Sequence, residues 1–130
     1  MNLHLKDKVV IVTGGSTGIG AAVTQNLLTE GAIPVVVSQS PLQDDLLAAL
    51  NTTQASWRWI QIDLTDAQAC EDAIAQTVAA FGCIDGLVNN AAITHSGGKS
   101  MSEISIDTWD QVMNVNVRGV WQVTVAAFHS

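Results

Sequence analysis

The sequence predicts an α/β fold built as one doubly wound parallel sheet, and three observations carry that expectation. Short apolar runs alternate with amphipathic segments, the connections between them are brief, and the first run passes through a glycine-rich turn straight into a helical pattern. Strands and helices alternating at such spacing imply parallel β/α units with right-handed crossovers. The expected strand order is 3-2-1-4. Any ligand crevice is then expected at the carboxyl ends of the first and fourth strands, where the order reverses.

The run Val9-Val10-Ile11-Val12 is too short for anything but a buried strand, and Ile19, Ala22, Val23 and Leu27 follow at helical spacing. Between them lies Thr13-Gly14-Gly15-Ser16-Thr17-Gly18-Ile19-Gly20. Gly14 permits a tight turn, Gly18 lets backbone approach a bound group, and Gly20 lets helix and strand pack closely. The helix opening presents unpaired N–H groups and a positive dipole end to an anion, most simply a pyrophosphate. The plainer alternative is a tight strand-to-helix connection that binds nothing.

Gly31-Ala32 closes that helix, and Ile33-Pro34-Val35-Val36-Val37 is the second strand, with Pro34 tolerable near its start. After the turn Ser38-Gln39-Ser40-Pro41, a helix over residues 42–50 places Leu42, Leu46, Leu47 and Leu50 on one side and Asp44-Asp45 in its first turn. Trp57-Arg58-Trp59-Ile60-Gln61-Ile62 alternates and is β-prone, giving a third strand that ends at Asp63. Thr65-Asp66-Ala67-Gln68 reads as a capping box for a helix whose inner face is Cys70, Ala73, Ile74, Thr77, Val78 and Phe81, closed by Gly82. Ile84-Asp85-Gly86-Leu87-Val88 is a fourth strand leading into Asn89-Asn90-Ala91-Ala92, and residues 93–103 are a polar loop. Asp107 caps a last helix reaching at least Phe128, so rich in valine that packing rather than propensity must hold it.

At 130 residues, 48% hydrophobic and 13% charged, the chain suits a single domain, residues 1–130, with a useful core and no linker or repeat. A net charge of −7 argues against a surface that neutralises a nucleic-acid backbone. No apolar run approaches the length of a transmembrane helix, and the first residues lack a signal-peptide core, which points to the cytoplasm and away from a membrane. Cys70 and Cys83 have no metal-ligand or Cys-x-x-Cys spacing and read as reduced packing residues, so no metal is expected. Gly98-Lys99-Ser100 echoes the end of a phosphate loop, but Ile93 stands where its first glycine belongs. His95 reads as an exposed loop residue near the expected cleft, and Trp109 and Trp121 as packing or interface residues of the last helix.

The spacing Gly-x-x-x-Gly-x-Gly after Thr13 resembles the cofactor fingerprint of the short-chain dehydrogenase/reductase family. Asn89-Asn90-Ala91-Ala92 resembles that family's Asn-Asn-Ala-Gly, with Ala92 in the place of its glycine, and Asn114-Val115-Asn116-Val117-Arg118-Gly119 resembles its Asn-Val-Asn-x-x-Gly. The resemblance covers the whole chain and implies a Rossmann-type sheet, incomplete here, with strands 3-2-1-4 present and later ones absent. It implies a dinucleotide, NAD or NADP, held by Gly14, Ser16, Thr17, Gly18, Ile19 and Gly20 at the diphosphate. Asp63 and Leu64 would meet the adenine, Asn89, Asn90, Ala91 and Ala92 the adenine ribose, and Val115 would lie near the cofactor. Asn116 would be the catalytic asparagine, whose backbone carbonyl holds a water in a proton relay. Taken alone, Asp63 reads equally as a loop carboxylate beside a helix N-terminus, and Asn116 as a solvated or back-bonded helix residue.

Cofactor choice is expected at the end of the second strand, where a carboxylate suits the ribose 2′-OH of NAD and an Arg the 2′-phosphate of NADP. Ser38 holds the place of the acid and Gln39 that of the Arg. Both nucleotides stay open, and the lack of a repelling carboxylate favours NADP. The family's chemistry also needs a Ser and a Tyr-x-x-x-Lys, with Lys lowering the Tyr pKa and the phenol exchanging a proton with substrate. This chain contains no tyrosine. It therefore reads as the cofactor-binding half of an oxidoreductase acting on an alcohol or carbonyl of a small molecule, inactive by itself, and its opening resembles sugar dehydrogenases. The alternative is a complete, non-catalytic nucleotide-binding or heteromerising module. The unpaired edge of the fourth strand points to a homo-oligomer.

Overall fold

The computed structural model describes residues 1–94 and 97–130. Four parallel strands, β1 (Val9–Thr13), β2 (Ile33–Ser38), β3 (Arg58–Gln61) and β4 (Gly86–Val88), lie in the order β3-β2-β1-β4. Val9 to Thr13 pair with Ile33 to Val37, Val10 to Val12 with Gly86 to Val88, and Val35 to Ser38 with Arg58 to Gln61. Helices α1 (Gly18–Thr29), α2 (Asp44–Thr52) and α3 (Ala67–Phe81) are the crossovers. A last helical stretch runs as α4 (Ile106–Met113), a π-helical segment Asn114–Gly119, and α5 (Val120–Phe128).

A parallel sheet covered on both faces must be apolar on both, because alternate side chains point opposite ways. Val9, Ile11, Val35, Val37 and Ile60 pack against Cys70, Ala73 and Ile74 of α3 and Val123 of α5. The intervening residues face the other way: Val10 and Val12 meet Leu27 and Ala32, while Val36 meets Ala21 of α1 and Leu42, Leu46 and Leu50 at α2. Ile11, Val12, Val35 and Val36 lose all exposure, each worth about 1.5–3 kcal/mol of burial. That accounts for the unbroken valine runs.

Several local expectations are corrected. The inner face of α1 is Gly20, Ala21, Thr24 and Leu27, whereas Ala22 is exposed and Ile19 is 78% exposed. The helix phase is set by Gly20, which must face the glycine turn, so Ile19 is rotated towards the strand tips. Helix α2 begins at Asp44 with Gln43 as its cap, and Leu47 is exposed. The cap of α3 is Asp66 rather than Thr65: its carboxylate accepts from Ala69 N at 3.1 Å, while the Thr65 hydroxyl turns away from the helix and donates to Asp63 Oδ1 at 2.7 Å. The cap of α4 is Ser105 rather than Asp107, accepting from Thr108 N at 3.1 Å. Strand β4 is shorter than expected because Asp85 pairs with β1 partly through its side chain: its N–H donates to Val9 O, while Oδ2 accepts from Val9 N, both at 2.8 Å.

The two cysteines also part company. Cys70 is buried under α3, while Cys83, just past the left-handed Gly82 that closes the helix, is exposed and does not pack. Burial, helped by the carboxylates of Asp66, Asp63 and Glu71, pushes the Cys70 thiol up from 9.0 to about 11. Between those values the unfolded chain releases this proton and the folded chain keeps it, so the Cys70 contribution to stability declines as pH rises through that window. A maleimide at pH 8 should modify Cys83 alone in the native protein and Cys70 only after denaturant, as read by peptide mass; modification of native Cys70 would contradict its placement.

Candidate functional site at the strand tips

The carboxyl ends of β1 and β4 are joined by one hydroxyl. Thr13, buried at the end of β1, accepts through Oγ1 from Asn90 N at 3.0 Å and Ala91 N at 3.1 Å, and its own proton points to Val88 O at 3.4 Å. Asn90 returns the connection by donating through Nδ2 to Gly14 O at 3.1 Å. Gly14 has φ +64°, and a side chain there would stand 2.9 Å from Ala91 Cα. A side chain at Gly20 would collide with the Gly14 carbonyl. Thr24, one turn along α1, lies 2.9 Å from Gly20 O and 3.2 Å from Gly15 O, so its hydroxyl fixes the turn from beneath.

Above this stitch lies a cleft of about 400 Å³. Its floor is Gly14, Ser16, Thr17, Gly18 and Ile19, and one wall is Ser38, Gln39 and Ser40 after β2. Ile62, Asp63 and Leu64 after β3, Asn90 to Ile93 after β4, and Val115 complete it. Gly18 has φ +54° with open space where a Cβ would be, so backbone is what that point of the floor presents. Thr17 supplies no side-chain cap to α1; Gln43 Oε1 instead accepts from Gly18 N at 3.3 Å. Sequence reasoning missed Gln43, although a polar residue just ahead of the Asp44-Asp45 pair was its available signal.

The expected site residues do not all converge. Asn89 is outside the cleft and donates through Nδ2 to Thr124 Oγ1 of α5 at 3.1 Å. Gly20 lies beneath the floor. Asn116 is also outside, in the π-helical segment, where its amide brackets the backbone of Ile93: Oδ1 accepts from Ile93 N at 2.8 Å and Nδ2 donates to Ile93 O at 2.9 Å. Among the described residues only His4 and Asp7 combine a side chain with positive φ, so Ala92 bears no left-handed strain in the place of the family's glycine. Asp63 Oδ1 accepts from Thr65 N at 2.9 Å, which leaves its second oxygen for another donor. His95 lies outside the described residues, and Trp109 and Trp121 are 54% and 64% exposed rather than packed. A larger hollow of about 580 Å³ lies between α3 and α5, lined by Ile74, Val78, Trp121 and Val125.

Chemically, the cleft offers a backbone floor at a helix opening, neutral hydroxyl and amide groups along its walls, and one carboxylate, Asp63. Such a set suits a long, polar, partly anionic molecule held chiefly by main chain. Replacing Thr13 by Val leaves two part-buried amides without their acceptor, and Thr13→Val should lose about 1–2 kcal/mol in urea denaturation while Thr13→Ser loses less than about half of that. Equal losses for both variants would show that packing of the methyl, not the hydroxyl, matters.

The model of the short chain dehydrogenase family matches residues 8–130. A 2,5-dichloro-2,5-cyclohexadiene-1,4-diol dehydrogenase of Sphingobium indicum is 34% identical over 117 residues, which is 90% of this chain and 46% of that protein. A 2-(S)-hydroxypropyl-CoM dehydrogenase 3 of Xanthobacter autotrophicus is 34% identical over 128 residues, covering 98% of this chain and 49% of the relative. Among solved structures, a short chain dehydrogenase from Burkholderia cenocepacia in complex with NADP superposes with a TM-score of 0.86 at 34% identity, over 96% of this chain and 51% of that one. The chain spans about half the length of the curated relatives it matches. With the strand order, the glycine turn and these matches in agreement, the chain belongs to the short-chain dehydrogenase/reductase family of oxidoreductases.

Proposed function

We propose that residues 1–130 carry the nucleotide-binding half of an NAD(P)(H)-dependent oxidoreductase that interconverts an alcohol and a carbonyl in a small molecule. The observation that carries this reading is the cleft over the reversal of strand order, floored by a glycine turn whose open backbone at Gly18 meets the N-terminus of a twelve-residue helix. When bound, the nicotinamide nucleotide supplies the hydride donor or acceptor. The residues of this chain bind and orient. Amides at the opening of α1 would hold the diphosphate, with Gln43 Oε1 giving up Gly18 N; the second oxygen of Asp63 would accept from an adenine N–H; Ala91, Ala92 and Val115 would line the sugar and ring. Asn116 fixes the loop after β4 through both backbone groups of Ile93, and its own backbone carbonyl, in the π-helical segment, would hold a water of the proton relay that the family resemblance implies.

A diol and a hydroxypropyl group in the two relatives' names support an alcohol as the reacting group, of which a sugar hydroxyl is one case. With no tyrosine in the chain, phenol-based proton transfer has no donor within these residues, and binding without turnover is the outcome we expect for residues 1–130 alone. Homo-oligomerisation belongs to the same proposal, supported by Trp109, Val117 and Trp121 exposed along α4 to α5. A well-folded monomer in sedimentation at about tens of micromolar would speak against it.

The four tryptophans make binding measurable. NADH or NADPH should quench their emission and gain sensitised fluorescence, and silence at about millimolar nucleotide, weaker than most specific sites, would remove the proposal. Gly18→Ala puts a methyl into the floor at a left-handed residue, costing about 1 kcal/mol of stability, and should weaken nucleotide binding roughly tenfold.

A further inference from the structure

The end of β2 carries a hydrogen-bond chain whose direction is forced. The Trp59 indole Nε1 lies 3.0 Å from Ser38 Oγ, which lies 2.8 Å from the Ser40 carbonyl oxygen. An indole N–H can only donate and a carbonyl oxygen can only accept, so the single proton of the Ser38 hydroxyl goes to Ser40 and one of its lone pairs to Trp59. What remains at Oγ is one lone pair, an acceptor lacking a donor. Ser38 is buried and lines the strand-tip cleft.

The indole is itself held in place. Trp59 pairs with Val36 in the β2–β3 register and packs on the cluster of Val36, Leu46 and Leu50 under α2. Gln61 Nε2 donates to Gln39 O at 3.0 Å, and Ile62 N donates to Ser38 O at 3.1 Å, so β3 clamps the whole turn after β2. Among the described residues, neither that turn nor the rest of the cleft lining contributes a Lys or Arg, and the one charged residue of that lining is the carboxylate Asp63.

We propose that Trp59 is a positioning residue for nucleotide selection: by fixing the Ser38 hydroxyl as an acceptor, it makes the site favour a ribose 2′-hydroxyl over a 2′-phosphate. A 2′-hydroxyl donates into the remaining lone pair. A 2′-phosphate, anionic and accepting, meets an oxygen with no proton to give and a cleft whose described lining holds no Lys or Arg to neutralise it. The proposal departs from the expectation from sequence, where the lack of a repelling carboxylate at Ser38 favours NADP, and takes NAD as the preferred nucleotide. This inference rests on the nucleotide-site reading above.

The test is to titrate NADH and NADPH separately into the purified protein, following nicotinamide fluorescence, for the native chain, Trp59→Phe and Ser38→Ala. Native protein should bind NADH more tightly. Trp59→Phe keeps an apolar ring but removes the N–H, and should lower the NADH-over-NADPH affinity ratio by about threefold or more. Ser38→Ala should weaken NADH by at least about threefold and NADPH by less, and it decides the matter if the ring substitution prevents folding. A native protein with no preference for NADH, or a preference that the folded variant leaves within about threefold, overturns the role of Trp59. Binding of neither nucleotide by the native protein overturns the nucleotide site itself.

Discussion

One threonine hydroxyl holds the strand tips in register. Thr13 Oγ1 receives two amides from the start of the loop after β4 and directs its proton to the last residue of β4, so β1 and β4 end level at the point where the strand order reverses. The cleft floor depends on that levelling, because Gly14 must pass within contact of Ala91 and Gly20 must sit under the Gly14 carbonyl. No side chain larger than hydrogen fits at either glycine. The turn is therefore bare backbone at Gly14 and Gly20 by steric necessity, and these two glycines of the family's fingerprint are the sequence record of that constraint.

Much of this was legible before any coordinates. Val9 to Val12 and Val35 to Val37 could only be strands, and their apolar character on both faces already required helices on both sides of the sheet. The glycine turn gave the crevice its place. What periodicity could not give was the phase of α1: Ile19 and Ala22 look like core, yet a single steric demand at Gly20 rotates them outward. The caps were missed for a related reason. Thr65 is a good cap by type, but its hydroxyl turns back to Asp63, and Asp66, one residue further on, is the one whose side chain reaches Ala69 N.

Within the site, Gly14 and Ser16 to Ile19 of the glycine turn, Ser38, Asp63, Leu64, Asn90 to Ala92 and Val115 do gather around one cleft, while Gly20, Asn89 and Asn116 stand outside it. Local sequence announces which segments reach the strand tips but not which way an amide turns once there. Gln43 and Trp59 carried no motif at all; their bonds to Gly18 N and Ser38 Oγ exist because α2 and β3 pack where they do. The Asn in the last helix does have a reason visible only in three dimensions, since its amide replaces, for Ile93, the strand partner that a loop residue lacks.

Among the described residues the cleft lining holds no Lys or Arg, and this has a kinetic side for the proposed ligand. A dinucleotide diphosphate is an anion, and it would approach a chain of net charge −7 towards a mouth marked by Asp63. Attraction is confined to the backbone amides and acts only at contact range, whereas repulsion from the surface reaches about a Debye length, roughly 8 Å at physiological ionic strength. Added electrolyte therefore quickens the encounter while leaving the short-range grip nearly untouched, the opposite of what is seen where a basic funnel draws its ligand in.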